Sequence, residues 1–232
     1  MQPGKLPADT RFIFICFTNR CGSNYLANLL SSTGALNKAD EVFNHDRVVA
    51  ACQENRLSSL HGYVAHLARA AALNSVLVTK LAIDQLVMLV ECGLLDRIIG
   101  RSRFIMMERL DKLGQAISLA IAEQNQRWAF YLPATRADEE LRFSHERIVE
   151  ILDSLTLQHC GFDRFFAWNS IMPVAVHYES LIDDPQALVA AIAPQIGCGA
   201  LQVDEAQLEL RPQAGSLNRA WRKRFLAGLR AA

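Results

Sequence analysis

Arg11-Phe12-Ile13-Phe14-Ile15-Cys16-Phe17-Thr18-Asn19-Arg20-Cys21-Gly22-Ser23-Asn24-Tyr25 is the stretch from which the fold can be read. Residues 12–17 are an unbroken apolar run, too short for an independent helix and rich in β-formers, so they predict a buried strand. Residues 18–24 are polar and include one cation, one glycine and two hydroxyls; Tyr25, Leu26, Leu29 and Leu30 then recur at helical spacing. The order is strand, loop, helix. A loop wrapped around a helix N-terminus aims unpaired backbone N–H groups and the positive end of the helix dipole at one spot, which suits a phosphate or sulfate. Arg20 adds charge there and Ser23 a donor. The loop is not a Walker A motif, which needs a second glycine and a Gly-Lys-Ser/Thr ending, whereas Gly22 here is followed by Ser23 and Asn24. An ordinary nucleotide kinase or GTPase is therefore disfavoured. On this stretch alone, a strand-to-helix turn with no ligand stays open.

The 232 residues suffice for one full core, and nothing in them demands two, so residues 1–232 are expected to form a single domain. Hydrophobic residues make up 51% of the chain and charged residues 21%, an ordinary globular balance, and 24 basic residues against 24 acidic ones leave no net field. Nucleic acid is not favoured as a partner, and any bound anion has to be held by a local arrangement. Cys16, Cys21, Cys52, Cys92, Cys160 and Cys198 are scattered without a CxxC pair, which indicates neither a zinc knuckle nor a disulfide framework and fits a reducing, cytoplasmic setting with no metal. Residues 1–10 lack an apolar signal core, and no later run reaches membrane-spanning length, so a soluble chain is expected.

Outward from the first strand and helix, residues 31–37 carry turn chemistry, and Glu41, Val42 and Phe43 precede a polar Asn44-His45-Asp46 loop. Residues 47–72 alternate at helical period and predict one or two helices. Residues 76–81 are a second strand with Lys80 near its end; a helix follows from about Asp84, with Gly93 as a break. Residues 103–107 are a third strand. Asp111 is a fair N-cap for a helix running to about Trp128 or Tyr131, with Ser118 about two turns in. Residues 136–169 read as a long amphipathic region, either one helix or two split near Gly161. Residues 173–178 are a fourth strand, and Asp183-Asp184-Pro185 opens another helix. The basic tail from Arg211 to Arg230 carries Trp221 and Phe225 on one helical face, read as core packing, and Tyr178 and Glu179 are also read as structural. Strands separated by helices predict an α/β fold with a mainly parallel sheet.

With these segments in place, the sequence resembles the sulfotransferases that use 3′-phosphoadenosine 5′-phosphosulfate (PAPS), closest to the bacterial trehalose sulfotransferase-like branch. The resembling stretches are Asn19 to Asn24, Thr33-Gly34 with Glu41 and Phe43, Lys80-Leu81, Arg109-Leu110-Asp111 with Gln115-Ala116-Ile117-Ser118, Tyr178-Glu179-Ser180-Leu181, and Asn218 with Trp221 and Phe225. They run in family order over nearly the whole chain. The resemblance implies a three-layer P-loop-like fold, a central mainly parallel sheet flanked by helices. It implies that Arg20, Cys21, Gly22, Ser23 and Asn24 hold the 5′-phosphosulfate, and that Arg109 and Ser118 hold the 3′-phosphate. A cation at a strand's carboxyl end and a hydroxyl on the following helix can converge on one anion. Glu41 matches the carboxylate proposed as general base, with Lys80 as a second catalytic candidate that would stabilise charge on the transferring group. His45 is a substitute base by proximity and titration range. Cys21 stands where the family commonly has Ser, and Asn24 where the trehalose enzyme has Thr; each side chain can still donate, Cys weakly.

The expected reaction is transfer of a sulfuryl group from PAPS to a hydroxyl of a small acceptor, a saccharide or glycolipid precursor among the options, by in-line displacement that releases adenosine 3′,5′-bisphosphate. Two alternatives stay open: a non-catalytic nucleotide-binding relative, and another P-loop-like nucleotide-dependent transferase such as a kinase. A homodimer is an assembly the sequence allows.

Overall fold

A computed structural model of the chain describes residues 6–128, 132–208 and 215–229. The apolar run forms strand β1, Arg11–Phe17, at the centre of a four-stranded sheet completed by β2 (Val76–Leu81), β3 (Ser102–Glu108) and β4 (Val174–His177). The strand order is β2-β1-β3-β4 and every pairing is parallel, with Ile15 opposite Lys80 on one side and Ile105 on the other. A parallel strand needs cover on both faces, which is why β1 reads as a continuous hydrophobic run rather than an alternation. Ile13, Ile15 and Phe17 pack beneath helices α1 (Ser23–Ser32) and α9 (Pro185–Ile192), while Phe12, Phe14 and Cys16 face α3 (Leu60–Ala70), α4 (Ile83–Glu91) and α7 (His145–Trp168). Helices α2 (His45–Glu54), α5 (Leu95–Ile98) and α8 (Tyr178–Asp183) complete these two layers. The expected α/β architecture, a parallel sheet between helical layers, is the one observed.

A third core joins α6 (Lys112–Asn125) and α7 to α10 (Ser216–Leu229), with Trp221 and Phe225 buried in it as core packing. Several boundaries depart from the sequence reading. Residues 47–72 resolve into α2 and α3, the first starting at His45. Helix α6 stops at Asn125, where Gln126 turns left-handed with φ 56°, short of Trp128; Tyr131 lies outside the described residues. The region 136–169 is one helix only from His145, and it runs unbroken through Gly161. That glycine is a packing device: a Cβ there would stand 3.1 Å from the Ile83 side chain, so its absence lets α7 approach the start of α4. Asp184 caps α9 through the Ala187 N–H, with Pro185 at the first position as expected. Of the basic tail, Arg211 and Arg230 lie outside the described residues. No helix among the described residues is long and apolar enough to cross a membrane.

Candidate functional site

The carboxyl ends of β1, β2 and β3 meet at the loop that links β1 to α1. Its backbone turns through Arg20 at φ 65° and Gly22 at φ 98°, and Gly22 serves as the N-cap of α1. Tyr25 and Leu26 N–H both return to the Gly22 carbonyl, at 2.9 and 3.2 Å. The Ser23 and Asn24 N–H groups lie in the first turn, where a helix supplies no acceptor of its own. Glycine is needed at 22 twice over: for the left-handed φ, and because a Cβ would stand 2.4 Å from the Tyr178 ring. The loop is pinned from α6, where the buried Gln115 side chain donates to Thr18 Oγ1 at 2.9 Å and to the Asn19 carbonyl at 2.8 Å.

On the β3 side, Arg20 and Ser118 come together. Arg20 Nε donates to Ser118 Oγ at 3.0 Å, and its Nη1 to the Trp128 carbonyl at 2.8 Å. Gln115 and Ser118, one helical turn apart on α6, share the face that looks at the loop. Burial, with the nearby positive charges of Arg109 and Arg127, pushes the Arg20 pKa down to about 10. Like charge is thereby concentrated beside the loop, opposed by its own repulsion and by burial.

Arg109 sits over the Tyr178 ring, 5.2 Å from its centroid, and its Nη1 reaches the Arg20 carbonyl only at 3.5 Å. Its Nε is buried with no hydrogen-bond partner among the described residues. A guanidinium has five N–H donors and a buried one left unmade is costly; the same group also faces the Asp111 carboxylate, Nη2 to Oδ2 at 3.9 Å. Asp111 caps α6 through the Gly114 N–H at 3.0 Å and receives two 2.7 Å bonds from Arg222 of α10, which hold its carboxyl below the usual range. Glu179 accepts from the Leu110 and Asp111 N–H groups at 3.1 and 3.2 Å; burial pushes its pKa up, but these bonds and Arg109 outweigh that and bring it below the usual range.

On the β2 side, Lys80 is 5% exposed and doubly partnered: Nζ donates to Glu41 Oε1 at 2.9 Å and to Asn24 Oδ1 at 2.5 Å. Glu41 arrives there because residues 37–41 run along the free edge of β2. Asn37 exchanges two side-chain bonds with the Val78 backbone, at 2.8 and 2.9 Å, and Lys80 N–H donates to the Asp40 carbonyl at 3.0 Å. Beyond Glu41, Tyr63 Oη donates to the Val42 carbonyl at 2.6 Å and Phe43 is buried against Phe14 and Tyr63. Asn24, Lys80 and Glu41 thus form one hydrogen-bonded row leading out of the loop. His45 points elsewhere: it is exposed and its partner is Asp46.

Cys21 departs from the side-chain donor read in the sequence. Its thiol is fully buried in the core beneath α1, and burial raises its pKa to about 11 against hydrogen bonds from Ser23 and Thr18 of the same loop, so it faces the loop from the core side and not from the solvent. Tyr178 and Glu179, read as structural, do support Arg109 and the turn after it. The contributor that sequence reasoning did not single out is Arg222, which lies far along the chain from Asp111 with no local signal joining them.

The fold is of the parallel α/β class whose ligand sites lie at the carboxyl edge of the sheet, where the arginines, Ser118 and the lysine–carboxylate pair gather. Residues 81–228 match the family model of the Stf0 sulphotransferases, and the chain belongs to that family. The matched segment contains Arg109, Ser118, Tyr178, Glu179 and Arg222; the loop, Glu41 and Lys80 precede it and are joined to it by the contacts above. No curated protein matches the chain.

Proposed function

We propose that the protein is a PAPS-dependent sulfotransferase acting on a hydroxyl of a small acceptor, and that Arg20, Cys21, Gly22, Ser23, Asn24, Arg109 and Ser118 bind the donor, the Cys21 thiol bracing the loop from the core side. The observation that carries this reading is the division of the site. Arg20, Arg109 and Ser118 gather on the β3 flank of the loop, and the Asn24–Lys80–Glu41 row stands on the β2 flank. The guanidinium of Arg109, turned toward the loop by its Nη1, is a cation of the kind that pairs with a phosphate.

When bound, the donor supplies a sulfuryl group on a phosphate leaving group. In the transfer the acceptor O–H breaks, an O–S bond forms, and the S–O bond to the nucleotide breaks with its electron pair leaving on adenosine 3′,5′-bisphosphate. Glu41 takes the hydroxyl proton. Lys80 holds the Glu41 carboxylate in place and puts its charge where the transferring group spreads negative charge, as cations do in phosphoryl transfer. Asn24 fixes Lys80 between the loop and Glu41. The saccharide or glycolipid nature of the acceptor, a single domain, a cytoplasmic setting and a homodimer belong to the same proposal.

The test is calorimetric titration of the purified protein with adenosine 3′,5′-bisphosphate, ATP and AMP. Micromolar binding of the bisphosphate, about −8 kcal/mol, with much weaker binding of the other two is the expected result. Preference for ATP would favour a kinase-like transferase. Bisphosphate binding without turnover of any acceptor would favour a non-catalytic relative.

A further inference from the structure

Beside Arg109, two arginines face one carboxylate. Arg222 of α10 holds it: Nη1 donates to Asp111 Oδ2 and Nη2 to Oδ1, both at 2.7 Å, the paired bonds of a guanidinium fork. Oδ1 also accepts from the Gly114 N–H at 3.0 Å. Arg109 Nη2 stands 3.9 Å from Oδ2, beyond hydrogen-bond reach and within the range of attraction. Glu179, a second carboxylate that feels the charge of Arg109, is engaged elsewhere too, since its oxygens accept from the Leu110 and Asp111 N–H groups.

Gly114 makes room for this arrangement. A Cβ there would stand 2.1 Å from Asp111 Oδ2 and 3.2 Å from Arg109 Nη2, so the first turn of α6 carries a poor helix former where the carboxylate and Arg109 converge. Released by Arg222, the carboxylate has Arg109 as its neighbouring cation. An arginine paired with a carboxylate has fewer donors left for a phosphate, and its charge is already matched. We propose that Arg222 is a positioning residue for the donor: by forking onto Asp111 it keeps that carboxylate from pairing with Arg109, and so leaves the Arg109 guanidinium for the 3′-phosphate. The inference rests on the donor-binding role proposed for Arg109. It makes the docking of α10, distant in sequence from the loop, a condition of donor binding.

The experiment is calorimetric titration of the full chain with adenosine 3′,5′-bisphosphate and with AMP, in a double-mutant cycle of Arg222→Ala and Asp111→Asn. Asparagine caps a helix as well as aspartate does, so Asp111→Asn removes the competing charge and keeps the cap. Arg222→Ala alone should weaken the bisphosphate about five- to tenfold, the scale of one competing charge at a partly exposed site, and leave AMP, which has no 3′-phosphate, within about twofold. In the Asp111→Asn background the same substitution should weaken the bisphosphate by no more than about twofold. A role confined to fastening α10 onto α6 predicts equal losses in the two backgrounds and for the two nucleotides. Arg222→Gln, which keeps a long polar side chain but not the charged fork, is carried through the same cycle with the same pattern expected, so the cycle is read even where Arg222→Ala does not fold. Equal losses in the two backgrounds, AMP weakened as much as the bisphosphate, or parent-like bisphosphate binding by the Arg222 variants would each overturn the proposal. A parent chain that fails to bind the bisphosphate removes the donor reading and this one with it, whereas tight binding by the parent with any of those three results removes this one alone.

Discussion

Gly22→Ala puts the loop geometry to a quantitative test. At φ 98° a side chain is strained whatever space surrounds it, which costs about 1–2 kcal/mol for a non-glycine residue in left-handed backbone. The new methyl would also stand 2.4 Å from Tyr178 Cδ2 and 3.2 Å from Met107 Cε, so the ring must move, an overpacking cost of roughly 1–3 kcal/mol. Together these lower the melting temperature by roughly 5–15 °C for a chain of this length. Displacing Tyr178 also removes the platform beneath Arg109, so bisphosphate affinity should fall about tenfold, the scale of one cation–π contact. The assay is a double-mutant cycle with Tyr178→Ala, read by thermal unfolding and by bisphosphate titration. In the Tyr178→Ala background the backbone strain remains and the overpacking vanishes, so Gly22→Ala should cost roughly 1–3 kcal/mol less there. An equal cost in both backgrounds, or a Gly22→Ala protein as stable as the parent, would refute the close approach of Tyr178 to the loop.

Arg109→Ala should weaken adenosine 3′,5′-bisphosphate by about 2–3 kcal/mol, roughly 30- to 150-fold, and leave AMP nearly unaffected; equal losses in calorimetry would contradict its 3′-phosphate role. Glu41→Gln should lower turnover by about a hundredfold or more with bisphosphate binding intact, and unchanged turnover would remove Glu41 from the mechanism. Arg222→Ala should destabilise the protein by up to about 1 kcal/mol at neutral pH. The folded pKa of Asp111 lies below its ordinary value of 3.8, so this contribution is present above that value and is lost as the pH falls through the lower folded one. Denaturant unfolding of parent and variant should therefore converge in strong acid, and a gap that persists there would show that Arg222 acts through packing instead.

Local chemistry made the sheet and several caps legible in the sequence. The apolar run at 12–17 is buried on both faces of a parallel sheet, and Asp111 and Asp184 cap helices because short carboxylates satisfy first-turn N–H groups wherever the chain continues helically. Gly161 left one helix or two open because a glycine that breaks a helix and one that admits a neighbour are the same letter; only the approach of Ile83, far along the chain, separates them. Arg20 and Ser118 were assigned by resemblance to different phosphate groups, and their contact across 98 residues depends on how α6 docks. Glu41 was legible as a candidate through the same resemblance, but its pairing with Lys80 was not, since it requires Asn37 to find the backbone of Val78. Cys21 was legible as a weak donor in the loop, but not its burial, which depends on how the loop lies over the core beneath α1.

The segment that carries Glu41 also seals the outer margin of β2. An open strand edge is a template for pairing with another molecule, and here Asn37 and the Asp40 carbonyl occupy the backbone groups of Val78 and Lys80 that a foreign strand would seek. The place of Glu41 beside Lys80 and the covering of the sheet edge are thereby fastened to the same few hydrogen bonds. A molecule in which this strip peels away draws the carboxylate from beside Lys80 and bares an adhesive edge in one event.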